Sequence, residues 1–140
     1  IRTDLEIALL EQGLAVRDLP DEWNQRYGQL LGVQPASDAE GCLQDVHWSE
    51  GLFGYFPSYL LGHLISAQLS EAMETEIGSP EEHIAAGDVT PMLGWLRQNV
   101  HGVGRALNAE DLVQQVTGRP LDSGAFLRHL TAKLNRLATL

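Results

Sequence analysis

The sequence predicts an all-α protein, and three observations carry that expectation. Helix-start signatures recur along the chain, apolar residues return at three- and four-residue spacing, and no alternating β-branched run is bounded by turn residues. At 140 residues, one domain with one core is the expected scale, and 44% hydrophobic residues supply enough apolar surface to fill it. The expectation is seven or so helices, forming a single helical unit over residues 1–140.

Taken in order, Ile1-Arg2-Thr3-Asp4-Leu5-Glu6 is no signal peptide and reads as helix interior, as if the chain were cut from a longer protein. Ser37 with Glu40 three residues on has the form of a capping box, in which a hydroxyl and a carboxylate satisfy the free N–H groups of a first turn. The longest helix is predicted from near Pro57 to Gly78, with Leu61, Ile65, Leu69, Ala72 and Met73 as its buried stripe. Ser79, Pro80 and Glu82 repeat the cap with proline at the first helical position. Thr90-Pro91, and Asn108 with Asp111, open two further helices. Leu93, Leu96, Val100 and Val103 make one apolar stripe, and Leu127, Leu130, Leu134 and Leu137 make another. Arg97, Gln98, Arg128, Lys133 and Arg136 occupy the opposite, solvated faces. Linkers fall at Gly32–Ala36, Gly102–Leu107 and Gly118–Leu121.

Charge narrows the class of partner. The formal net charge is −10 with 9 basic residues, a balance that repels a phosphate backbone and argues against nucleic acid. No apolar run approaches the roughly 20 residues that span a bilayer. Cys42 is the single cysteine, so there is no internal disulfide. No base is placed beside it by sequence, and a small buried hydrophobe is its expected role.

The chemistry-bearing cluster is Gly41-Cys42-Leu43-Gln44-Asp45-Val46-His47-Trp48, followed by Gly54-Tyr55-Phe56-Pro57-Ser58-Tyr59. It places a histidine, two tyrosines, an amide and a carboxylate close in sequence beside glycines that can bend the chain. Tyrosine hydroxyls and imidazole N–H groups can donate to a developing oxyanion. Each such donor is worth roughly 3–4 kcal/mol in a preorganised, dry site. An Asp two residues before a His could fix the imidazole tautomer or cap a helix. Read from the residues alone, Tyr55 and Tyr59 fit better the role of ordinary buried aromatics with a hydrogen-bonded tip. The five histidines, His47, His63, His83, His101 and His129, include no pair at i, i+3 or i+4. No His-Glu-x-x-His zinc helix is present.

That cluster resembles the signature of the carboxypeptidase Taq type of thermostable zinc metallocarboxypeptidases, Gly-x-x-Gln-Asp-x-His-Trp and then Gly-Tyr-Phe-Pro-Thr/Ser-Tyr. Residues 1–34, with Leu19-Pro20-Asp21-Glu22-Trp23-Asn24, resemble the helical pair that precedes the signature. Gly87–His101 and the chain end resemble the family's C-terminal helices. The resemblance implies the C-terminal portion of a longer all-α enzyme that removes single residues from peptide C-termini. It implies zinc or another divalent metal held upstream by the missing N-terminal part, with no metal ligand in this segment. By resemblance, the catalytic residues are His47, contacting the substrate backbone, and Tyr59, donating to the oxyanion. Tyr55 holds the substrate's C-terminal end, with Gln44 and Asp45 as supporting substrate-side groups. His63 stands where the family commonly has Asn, so no role is carried over to it. The resemblance also implies a cytoplasmic enzyme, no membrane partner and a homodimer, with this segment inert by itself. From a different class, a stand-alone helical interaction module on the same scaffold remains an open reading of the residues.

Overall fold

The computed structural model describes residues 1–139 and is all-helical, with no strand among them. Seven α-helices follow in order: α1 (Arg2–Leu10), α2 (Leu19–Leu31), α3 (Phe56–Ile77), α4 (Pro80–Ala85), α5 (Thr90–Leu96), α6 (Ala109–Thr117) and α7 (Gly124–Leu137). A 3₁₀ turn at Val16–Asp18 leads into α2, and α5 runs on into a π turn at Arg97–His101. The residues divide into two compact units, Ile1–Tyr59 and Leu60–Leu140.

In the first unit, α2 opens at Leu19-Pro20 with Asp21 and Glu22 in its first turn. Proline loses no helical hydrogen bond there, and the two carboxylates face the positive end of the helix dipole. Glu22 and Arg26, one turn apart, pair at 2.7 Å. On the other face Trp23 and Tyr27, again at i and i+4, stack with ring centroids 4.7 Å apart. Leu5 of α1, Leu19 and Trp23 of α2, and Cys42 form the core, with Leu9, Leu14 and Trp48 packed against it. Burying each large side chain contributes about 1.5–3 kcal/mol.

The Ser37–Glu40 pattern opens no helix, contrary to the sequence expectation. The Glu40 N–H is taken by the Ser37 carbonyl at 3.1 Å, and the Gly41 N–H by the same oxygen at 2.9 Å. Residues 37–54 run as successive turns and bends. Gly41, Asp45, Ser49, Gly51 and Gly54 are all weak helix formers, and local turns satisfy the backbone there instead. Gly51 and Gly54 adopt φ of 74° and 75°, a left-handed conformation that a side chain would strain. These two residues turn the chain into α3.

In the second unit the caps follow the sequence. The Ser79 hydroxyl accepts from the Glu82 N–H at 3.4 Å, and the Asn108 side chain from the Asp111 N–H at 2.8 Å. At α5 the acceptor is Asp88, which takes the Thr90 N–H at 3.0 Å. Met73, Trp95, Val113 and Ala125 are buried.

The apolar stripes need correcting. On α3 only Met73 of the expected stripe is buried, and Leu61 is 48% exposed. The position the helix buries completely is Gln68. A buried amide is tolerable only when its hydrogen bonds are made, and these are. Gln68 Nε2 donates to the Pro120 carbonyl at 3.0 Å, and its Oε1 accepts the Asp122 N–H at 3.1 Å, fastening the α6–α7 connection. Leu127, Leu130, Leu134 and Leu137 of α7 are all exposed. Helical periodicity marks a face that gains from burial, but it does not supply the element that covers it.

Candidate active-site cluster

The cluster assembles within the first unit. The turns after Gly41 carry Asp45, His47 and Trp48, and the first turn of α3 brings Phe56 and Tyr59. Asp45 makes an Asx turn, its Oδ1 accepting the His47 main-chain N–H at 3.2 Å. The same oxygen lies 3.2 Å from His47 Nδ1. The other ring nitrogen, Nε2, lies 3.0 Å from Tyr59 Oη. The His47 ring centroid is 4.7 Å from that of Phe56 and 5.5 Å from that of Tyr55. Tyr55 meets Tyr59 edge-on at 5.3 Å. His47, Tyr55, Tyr59 and Asp45 thus share one site.

The partners assign the imidazole's hydrogen. An ionised carboxylate only accepts, so Nδ1 donates to Asp45. In the neutral ring Nε2 then accepts from the Tyr59 hydroxyl. In the imidazolium the polarity reverses: Nε2 donates to Tyr59 Oη, and the hydroxyl hydrogen is free to point elsewhere. Tyr55 and Tyr59 are 44% and 50% exposed, so neither ring is closed off from a ligand.

Gln44 is placed differently. It is exposed, and its side chain makes no hydrogen bond among the described residues. Two residues outside the sequence-based site stand behind the cluster. Arg2 donates to Asp45 Oδ2 at 2.9 Å. The Trp48 indole N–H donates to the buried Glu6 carboxylate at 2.9 Å. The His-Trp step of the motif was a visible signal for Trp48. Arg2 lies 43 positions before Asp45, and no local pattern announces the pairing.

The remaining sequence candidates lie apart from this chemistry. Burial, then the Asp38 carboxylate, pushes the Cys42 thiol above its ordinary pKa, which keeps it protonated and unreactive. His63 stacks on Phe126 with centroids 5.9 Å apart, and His83 Nε2 lies 2.9 Å from the Ile77 carbonyl. A cavity of about 500 Å³ opens in the second unit, and both arginines that line it are already paired with lining carboxylates. Arg128 meets Glu71 at 2.7 Å, and Arg136 meets Glu81 at 2.8 Å. No group of three His, Cys, Asp or Glu side chains is placed to hold a metal ion among the described residues. These residues therefore do not fit a resident metal. No described helix is long and apolar enough to cross a membrane.

Comparison with known proteins bears on all of this. The model of the carboxypeptidase Taq (M32) metallopeptidase family matches residues 1–134. The chain is 41% identical over 133 residues to thermostable carboxypeptidase 1 of Thermus thermophilus, covering 95% of this chain and 26% of that protein. It is 39% identical over 140 residues to carboxypeptidase 1 of Bacillus subtilis, covering 100% of this chain and 28% of that one. Among solved structures, the M32 carboxypeptidase of Deinococcus radiodurans R1 superposes with a TM-score of 0.90 at 39% identity, over 99% of this chain and 28% of its own. The chain thus spans about a quarter of the length of the curated relatives it matches.

Proposed function

This chain belongs to the carboxypeptidase Taq (M32) metallopeptidase family, and from that premise we propose that its residues serve a metallocarboxypeptidase that removes C-terminal residues from peptides. The observation that carries the reading is the 3.0 Å contact between His47 Nε2 and Tyr59 Oη, with the Asp45 carboxylate behind the ring. Peptide hydrolysis passes through a tetrahedral oxyanion, and a hydroxyl aimed at that oxygen acts mainly in the transition state. Tyr59 is that donor in this reading. Nδ1 is committed to Asp45, so His47 contacts the substrate backbone from Nε2, whose proton in the imidazolium is shared with the Tyr59 oxygen. Tyr55 holds the C-terminal end of the peptide, and Asp45 keeps the imidazole in register. Gln44, exposed and free of internal hydrogen bonds among the described residues, is a further contact for the substrate. The same reading, through the resemblance of residues 41–59, takes the enzyme to be cytoplasmic and homodimeric. It takes the metal to be zinc, held outside these residues.

Hydrolysis of short peptides by the enzyme carrying these residues tests the reading. His47→Ala should lower kcat/KM by at least about tenfold, a loss of 1.4 kcal/mol, with the larger share in KM. Unchanged kcat/KM would remove His47 from the substrate site.

A further inference from the structure

We infer that Arg2 is a positioning residue: by holding the outer oxygen of Asp45, it fixes the tautomer and ring orientation of His47 so that Nε2 is presented to Tyr59. The inference rests on the reading of His47 and Tyr59 as the substrate-facing pair, but its test does not.

The geometry carries the argument. Asp45 Oδ1 is shared between two donors of His47, the main-chain N–H and ring Nδ1, each at 3.2 Å. Both contacts are at the long end for an N–H···O bond, so neither fixes the plane of the carboxylate strongly. The terminal torsion of an aspartate is broad and roughly two-fold. A carboxylate held at one oxygen can therefore swing, and the swing withdraws Oδ1 from the imidazole. Arg2 removes that freedom by gripping Oδ2 at 2.9 Å.

Arg2 is itself held. Its guanidinium carbon lies 4.9 Å from the Phe56 ring centroid and 5.6 Å from that of Trp23. A planar cation stacks on such faces where an ammonium would not. Phe56 also lies against His47, at 4.7 Å between centroids. One aromatic ring therefore contacts both the arginine that sets the carboxylate and the imidazole that the carboxylate sets. The Arg2 Nε is buried without a hydrogen-bond partner among the described residues. The guanidinium is thus oriented by its stack and its Asp45 contact, not by a full set of hydrogen bonds.

Long-range proton–nitrogen correlation spectra of the nitrogen-labelled chain, taken where the His47 ring is neutral, read the tautomer directly. In the parent chain His47 Nδ1 should give the protonated-type resonance and Nε2 the unprotonated type. In Arg2→Met the two resonances should move toward each other as the second tautomer is populated, and Arg2→Lys should restore part of the separation. Asp45→Asn, whose amide can donate to Nδ1, should move them further in the same direction. Circular dichroism establishes that each variant is folded, and Arg2→Gln replaces Arg2→Met if that variant is not. Parent-like resonances in the folded Arg2→Met or Arg2→Gln variant would overturn the inference, as would an Nε2-protonated parent. A tautomer shift together with an active His47→Ala enzyme would leave Arg2 its role and remove the proposed function instead.

Discussion

The Trp48 indole N–H donates to the Glu6 carboxylate at 2.9 Å, tying the turn segment that carries His47 back onto α1. Glu6 is only 3% exposed, so water is poorly placed to replace that donor. The Trp48 ring also meets Trp23 edge-on at 6.1 Å, joining the same tie to the core. Trp48→Phe keeps most of the ring but leaves a buried carboxylate without its partner. It should destabilise the chain by about 1–3 kcal/mol, measured by denaturant unfolding. Loss of less than about 0.5 kcal/mol, the range of an ordinary surface change, would show that Glu6 finds another donor.

Burial on α3 separates two positions that the sequence treats alike. Met73 is 7% exposed and Leu61 is 48% exposed. Met73→Ala should cost about 2–5 kcal/mol, as truncations in a packed core do. Leu61→Ala should stay within about 1 kcal/mol, since its lost contacts were half in water already. Equal losses in thermal or denaturant unfolding would contradict this assignment of the interior.

Acid should weaken the second unit through Glu71. Its carboxyl is held below the ordinary pKa first by the hydrogen bond from Arg128, against the effect of burial, and then by Arg119. A carboxyl depressed in the folded state stabilises it above the unfolded pKa of about 4.3. That contribution fades as pH falls through the lower folded value. The melting-temperature difference between the parent and Glu71→Gln should be constant above about pH 5 and shrink on acidification below the unfolded value. A difference that does not change between neutral and acid pH would show that the two arginines do not favour the ionised form.

What the sequence could show follows from the range of each interaction. Caps at Ser79 and Asn108 involve neighbours three residues apart, so their pattern and their structure coincide. The motif at 41–59 is also local. Its histidine and tyrosines meet because two glycines turn the chain between them, and both glycines stand in the sequence. The Ser37–Glu40 pattern had the right residues, but the adjoining segment is too rich in weak helix formers to propagate a helix. Gln68 is buried because of its bonds to a distant segment, the Pro120 carbonyl and the Asp122 N–H, which no pattern within α3 reveals. Arg2 with Asp45, and Glu6 with Trp48, join residues more than forty positions apart. Nothing in either local pattern specifies such a partner.

In the proposed function the Tyr59 hydroxyl, 3.0 Å from His47 Nε2, donates to the oxyanion of peptide hydrolysis. Steady-state kinetics of Tyr59→Phe on a short peptide, in the enzyme carrying these residues, tests it most directly. Tyr59 is half exposed, so stability should change by no more than about 0.5 kcal/mol. KM and metal content should stay at the parent values, while kcat falls on the order of 100-fold or more, as for deletion of one oxyanion donor. Turnover at the parent rate would contradict the account and leave Tyr59 as an aromatic packing residue with a hydrogen-bonded tip.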